Sequence, residues 1–209
     1  MRGPTEPQQA RRDAGPVTDR GAARKAALLK AARKVFERKG FIETRVADIV
    51  KQAKVSHGTF YTYFETKDAV FEAVSHQVIE EMVEAMTAPP PTKEVEERVH
   101  DSIERFVHAY RPHATMLGLM EQVGTFTPEL RDLRLEARNT FVERTRRGME
   151  RLKAEGRTPA DLDVEYTAES LGAMLEYICY IWFSLDRDFE ETRIVDALAH
   201  IWSRALAPR

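Results

Sequence analysis

Between residues 56 and 63 the chain sets hydroxyls, an imidazole and a glycine side by side: Ser56-His57-Gly58-Thr59, then Tyr61-Thr62-Tyr63 beyond Phe60. No carboxylate interrupts them, although the whole chain has 34 Asp and Glu against 32 Lys and Arg. Hydroxyls and an imidazole without competing negative charge suit hydrogen bonding to a polyanion whose edges are also read. Gly58 would weaken a helix by about 1 kcal/mol relative to Ala. What it offers in exchange is close approach of the backbone to a partner.

Other chemistries find little support. His100, His108 and His113 are spaced by 8 and 5, and neither is the i, i+4 spacing that puts two imidazoles on one helical turn. HExxH, CxxC and a Gly-rich phosphate loop are absent. Cys179 is the single cysteine and lies in an apolar stretch, so no intrachain disulfide can form. No nucleophile stands with an identifiable base. The expectation is a protein that is not an enzyme, with no cofactor and no metal site.

The elements that must position the polar run are short helices. Val46, Ile49, Val50 and Ala53 repeat at helical spacing. Thr44 precedes them as a candidate cap, with Asp48 in the first turn. Ala53-Lys54-Val55 has room only for a turn. Ser56 then caps a second helix anchored by Phe60 and Phe64 at i and i+4. Ahead of both, a helix from about Gly21 to Lys39 buries Leu28, Ala31, Ala32, Val35 and Phe36 and stops at Gly40. Phe41 and Ile42 are expected to plug the corner. Lys67 opens the next helix after Thr66 as cap, where a cation opposes the helix dipole unless an anion is bound.

The stretch from Val46 to Phe71 resembles the DNA-binding signature of the TetR family of bacterial transcriptional regulators. The matching residues are Asp48-Ile49, Ala53, Val55-Ser56, Gly58-Thr59, Tyr61, Tyr63-Phe64, Lys67 and Phe71. Lys54 and Arg45 depart from it, standing where the family usually has Gly and Thr. Both add a cation to the surface that would face DNA, and Lys54 is expected to be left-handed at a cost of order 1 kcal/mol. The resemblance implies an all-α fold of about nine helices. It divides into a disordered arm (1–19), a three-helix helix-turn-helix domain (20–66) and a helical effector-binding and dimerisation domain (67–209). It also implies roles on double-stranded DNA. Gly58 brings the backbone close; Thr59, Tyr61 and His57 approach base edges; Thr44, Arg45, Ser56, Tyr63 and Lys67 hold phosphates, with Lys54 nearby. The rival reading is a helical binding module without DNA-binding activity of its own.

Charge is distributed accordingly. Residues 1–64 carry 14 Lys and Arg against 6 Asp and Glu, and residues 65–209 carry 18 against 28. A basic N-terminal part on an acidic remainder suits nucleic acid at one end. Arg11, Arg12 and Arg20 lie in or beside the Pro-, Gly- and Arg-rich start, from which such arms reach a groove. No signal peptide is visible, and the longest apolar run, 171–185, contains Glu176 and is shorter than a membrane span. A cytoplasmic protein with no membrane partner is expected.

Beyond the DNA-binding part, helices are expected at 67–87, 93–110 (with Thr92 as cap), 113–123, 129–154, 163–185 and 189–206. The helix over 163–185 is apolar on more than half its circumference and needs cover on two sides. A second subunit can supply one of them. Leu171, Leu175, Ile178, Ile181, Leu185, Ile194, Leu198, Ile201 and Trp202 are the candidate interface, and the family similarly dimerises through its last two helices. The family's middle helices usually enclose a small-molecule effector. Candidate lining residues are Met82, Phe106, Tyr110, Met116, Met120, Phe126, Phe141, Met174, Tyr177 and Trp182, with His113, Glu121 and Arg138 as polar candidates. Met-rich, weakly charged inner faces point to an apolar or amphipathic effector. The function read from the sequence is a ligand-responsive repressor that binds a palindromic operator as a homodimer.

Overall fold

The computed structural model describes residues 19–86 and 94–208, which fold as helices joined by short connections. In order these are α1 (Asp19–Lys39), α2 (Val46–Ala53), α3 (His57–Tyr63), α4 (Lys67–Ala85), α5 (Val95–Tyr110), a 3₁₀ turn (Arg111–His113), α6 (Ala114–Val123), α7 (Pro128–Ala154), α8 (Val164–Phe183) and α9 (Glu191–Leu206). No strand occurs among the described residues. The expected arm, with Arg11 and Arg12, lies outside the described residues except for Asp19, which already belongs to α1. The expected cap Thr92 also lies outside them; α5 is preceded by Glu94.

Three helices and the start of α4 build the platform for the polar run. Gly40 ends α1 with φ +75° and donates its N–H to Phe36 O at 2.8 Å, a left-handed stop that glycine adopts without a Cβ clash. Phe41 then turns inward. Its ring lies 4.9 Å from Phe71, which is 5.1 Å from Phe36, so aromatic edges pin α1, the corner and α4 together. Ile42 does not plug the corner; it is 70% exposed. α2 packs on α1, and α3 on α2. Phe60 and Phe64 are buried and seat α3 on the same core. Truncating such a buried ring costs about 3–5 kcal/mol.

α4 belongs to both halves. Val70, Phe71 and Val74 are buried near its start, Val78 and Met82 further along, and one apolar core runs continuously past residue 66. Beyond it, α5 packs on α9 and α7 on α8, with α6 wedged among α1, α4, α7 and α8. Pro112 forces the 3₁₀ turn between α5 and α6.

Candidate nucleic-acid interface and effector cavity

α3 is short and over-determined at its base. Ser56 Oγ accepts the Thr59 N–H at 3.1 Å and lies 3.0 Å from Thr59 Oγ1, which closes the N-terminal turn. Thr62 Oγ1 donates to Gly58 O at 2.9 Å. His57, Gly58, Tyr61 and Thr62 face solvent, whereas Thr59 and Tyr63 are half-buried. The ring of exposed Tyr61 meets the buried Phe60 ring edge to face at 5.4 Å. A Cβ at Gly58 would meet only Ser56 Oγ at 3.8 Å, so the fold itself does not require a glycine there.

Two exposed cations stand at the ends of α2, the helix on which α3 packs. Arg45 is the exposed N-cap residue of α2, and its backbone N–H is taken by Asp48 Oδ2 at 3.1 Å. Asp48 is also bonded to Lys39 at 2.7 Å, and that bond and the Arg45 N–H hold its carboxyl below the usual range. Lys54 ends α2 with φ 56° and ψ 43°, the left-handed conformation expected of it, and its side chain is exposed.

Two proposed phosphate ligands have internal partners. Thr44 is 2% exposed, and its hydroxyl donates to Gly40 O at 2.6 Å. It therefore does not cap α2, where Arg45 stands, and its hydroxyl is already committed to the end of α1. Lys67 donates from Nζ to Phe41 O at 2.8 Å and to Ile42 O at 3.4 Å, and the ammonium sits 4.2 Å from the Phe41 ring centre. Carbonyl oxygens and a ring face offset its position at the start of α4. Ser56 keeps an exposed position, but its hydroxyl already serves the cap.

One polar link joins this platform to the remaining helices. Arg33 of α1 bonds Glu37 at 2.8 Å, Glu81 of α4 at 3.0 Å, Pro112 O at 3.3 Å and His113 Nδ1 at 2.9 Å. A guanidinium has only donors, so Nδ1 must accept and the ring must be neutral there. Burial, reinforced by the Arg33 charge, pushes the His113 pKa down accordingly. His113 thus belongs to this link and lines neither cavity.

A cavity of about 440 Å³ lies among α4, α5, α6, α7 and α8. It takes in six of the ten candidates: Met82, Phe106, Tyr110, Met120, Phe141 and Tyr177, with Glu121 and Arg138 as polar members. Tyr177 is 63% exposed and stands at its edge. Four candidates are elsewhere. Met116 is wholly buried core, and Phe126 is 53% exposed in the α6–α7 connection. Met174 is half-buried on α8 outside the cavity walls. Trp182 stacks on Phe183 at 4.4 Å, with Arg111 5.7 Å from its ring. A second cavity of about 190 Å³ shares Phe106, Phe141 and Glu176 with the first, and the two rings meet edge to face at 5.6 Å.

The cavities are more charged than the apolar periodicity implies. Arg138 bonds both Glu169 and Glu176 at 2.6 Å, and Arg134 pairs with Glu121. Burial raises the Glu176 carboxyl against the opposing pull of Arg138. Arg98, Arg105, Arg144 and Arg151 line the smaller cavity. The sequence reading missed these and Arg134; on α7 the pairs 134/138 and 144/151, four and seven apart, each return to one face of a helix, and that spacing was their signal.

The candidate dimer residues also divide. Leu171, Leu175, Leu198 and Trp202 are buried within the chain's own core, and Trp202 lines the smaller cavity. They are therefore not free to meet a partner. Ile178, Ile181 and Ile194 are half-buried, and Leu185 and Ile201 are exposed. Tyr166 and Tyr177 add further exposed apolar surface on α8. Cys179 is fully buried, and desolvation pushes its thiol up to about 12, which makes it unreactive. No helix among the described residues is long and apolar enough to cross a membrane.

Residues 28–74 match the family described as bacterial regulatory proteins, tetR family. Residues 99–207, more than half the chain, match the C-terminal domain of the transcriptional regulator EthR. The HTH-type transcriptional regulator EthR of Mycolicibacterium smegmatis is 25% identical over 210 residues, covering 97% of this chain and 93% of its own. The EthR of Mycobacterium tuberculosis is 24% identical over 186 residues, covering 87% and 86%. Among solved structures, Salmonella enterica GusR superposes with a TM-score of 0.75 at 20% identity, over 91% of this chain and 98% of that one.

Proposed function

The chain belongs to the TetR family of bacterial regulatory proteins and is a ligand-responsive, DNA-binding transcriptional regulator; from its geometry we propose that it acts as a two-fold dimer placing α3 of each subunit in a major groove of a palindromic operator. The observation that carries this reading is the exposed face of α3. It is polar, free of carboxylates and seated on buried Phe60 and Phe64, and it packs on α2, whose two ends carry the exposed cations Arg45 and Lys54. His57 and Tyr61 approach base edges, Gly58 admits the sugar-phosphate backbone, and Arg45 and Lys54 contact phosphates. The exposed and half-buried apolar residues of α8 and α9 pair the subunits. Two-fold symmetry then sets the half-sites about 34–36 Å apart, or a multiple of that.

The protein acts as a repressor, released when an effector occupies the cavities. Ile79 and Met82 of α4 line the larger cavity and Met86, just past its end, lines the smaller. A ligand there bears directly on the helix that carries the DNA-binding platform. The Arg33 link makes α1 and the α5–α6 junction move with it. By linkage, DNA weakens effector binding by the same factor as effector weakens DNA binding.

The test is fluorescence anisotropy on duplex DNA across a range of salt. Binding through phosphates falls steeply with log salt, and Arg45→Ala and Lys54→Ala each flatten the slope. Binding indifferent to salt, or slopes unchanged in both variants, would remove α3 and its flanks from the interface.

A further inference from the structure

Buried polar atoms without a partner mark the bonds a cavity leaves unmade. Among the described residues, two such atoms belong to walls of the larger cavity: Glu176 Oε1 on α8 and Arg134 Nε on α7. One accepts and the other donates. The rest of each group is engaged, Glu176 Oε2 by Arg138 at 2.6 Å and Arg134 Nη2 by Glu121. Leaving a buried charged group short of a hydrogen bond is costly, so a ligand that supplies both partners recovers that cost. Both side chains remain partly exposed and are flexible, so a small turn presents either atom to the cavity. The charges of the lining balance, with Glu121 and Glu176 against Arg134 and Arg138. Much of the remaining wall is aromatic. Phe106 and Phe141 meet edge to face at 5.6 Å, and Tyr177 and Tyr180 stack at 6.2 Å.

We propose that the larger cavity takes a neutral, planar ligand carrying a donor beside an acceptor, as a carboxamide or lactam does. Its N–H meets Glu176 Oε1, its carbonyl meets Arg134 Nε, and its flat body lies among the aromatic rings. This rests on the reading that the cavities take the effector. A ligand anion would face the two carboxylates and a cation the two guanidiniums, and either would bring a net charge into a lining that has none. A neutral amide satisfies both atoms and adds no charge. The ring faces and edges receive a planar body in offset or edge-on contact. The same pose reaches the helix that carries the DNA-binding platform. A ligand tied through its amide to α7 and α8 shares the cavity with Ile79 and Met82 of α4.

The experiment is calorimetric titration of the DNA-free protein at pH 8 with four probes sharing one naphthalene ring: naphthamide, methyl naphthoate, naphthoate and naphthylmethylammonium. The amide should bind about tenfold tighter than the ester, which accepts but cannot donate; that is the worth of one hydrogen bond to a charged group. Both charged probes should bind more weakly than the amide. Glu176→Gln keeps the side chain's shape. Its carbonyl oxygen still suits Arg138, which sets an N–H donor where Oε1, an acceptor, now stands. Amide affinity should then fall about tenfold, with ester affinity unchanged. Equal binding of amide and ester, tighter binding of either charged probe, or no binding of any probe would each overturn the proposal. So would Glu176→Gln if it weakened amide and ester equally or left the amide unaffected. Operator affinity measured on the same preparation separates the two readings. Intact DNA binding without preference for the amide removes only the ligand class, whereas amide preference without DNA binding removes only the role of α3.

Discussion

Replacing Gly58 with alanine separates the demands of the fold from those of the partner. Gly58 lies in the first turn of α3, and the added methyl would meet nothing but Ser56 Oγ at 3.8 Å, an ordinary van der Waals distance. The substitution should therefore stabilise the free protein by up to about 1 kcal/mol, through helix propensity and a less flexible unfolded chain. For a chain of this size that raises the melting temperature by roughly 2–4 °C. On DNA the same methyl points outward from the face that must approach the duplex. Overpacking a close approach costs about 1–3 kcal/mol, so operator affinity should fall between about fivefold and about 150-fold. Thermal melting of the free protein and anisotropy titration of the operator measure the two effects on one sample. Stability rising while affinity is unchanged would show that nothing approaches Gly58. Stability falling would show that the fold needs the glycine after all, and either result refutes the reasoning.

Arg45→Ala should leave the melting temperature nearly unchanged and reduce the log–log salt slope of DNA binding by about 0.9 for each phosphate that Arg45 neutralises, read by anisotropy. Lys67→Met should behave in the opposite way: it loses the bonds to the Phe41 and Ile42 carbonyls and should cost about 1–3 kcal/mol in denaturant unfolding, with a salt slope equal to wild type. The link through His113 predicts a pH effect. Its folded-state pKa is depressed, so the stability it lends is present above the ordinary histidine value of about 6.5 and is lost as pH falls through that value towards the folded one. His113→Asn keeps an acceptor for Arg33 that does not titrate. Between pH 8 and pH 5 its melting temperature should fall less than that of wild type, and parallel curves would show that His113 does not carry the effect.

The helix boundaries and the seat of α3 were legible because they are local. Phe60 and Phe64 at i, i+4, Ser56 and Thr66 as caps, and Gly40 as a stop each act within one turn of themselves, and the structure uses them so. Thr44 misled because a threonine just before an apolar run has the form of a cap; its hydroxyl instead turns back to Gly40, four residues earlier. Lys67 could not be read locally, since its partners lie 25 and 26 residues away. The apolar surplus on α8 and α9 was visible, but not its division. The pairing of α5 with α9 and of α7 with α8 decides that Leu171, Leu175, Leu198 and Trp202 face inward. The charge of the cavities was obscured for a similar reason. α7 is rich in both arginine and glutamate, and only the packed structure shows that Arg144 and Arg151 turn to a cavity while Arg146 and Arg147 pair with Glu143 on the helix surface.

Whether paired α3 helices read DNA with two-fold symmetry is tested most directly by selecting bound sequences from a random duplex pool. The purified full chain is used at near-physiological salt. A symmetric pair of α3 helices should enrich a palindrome, with half-site centres one helical turn or a multiple apart. Tyr61→Ala should change the consensus within each half-site. An enriched sequence without two-fold symmetry, no enrichment by a folded dimer, or a consensus indifferent to Tyr61 would contradict it.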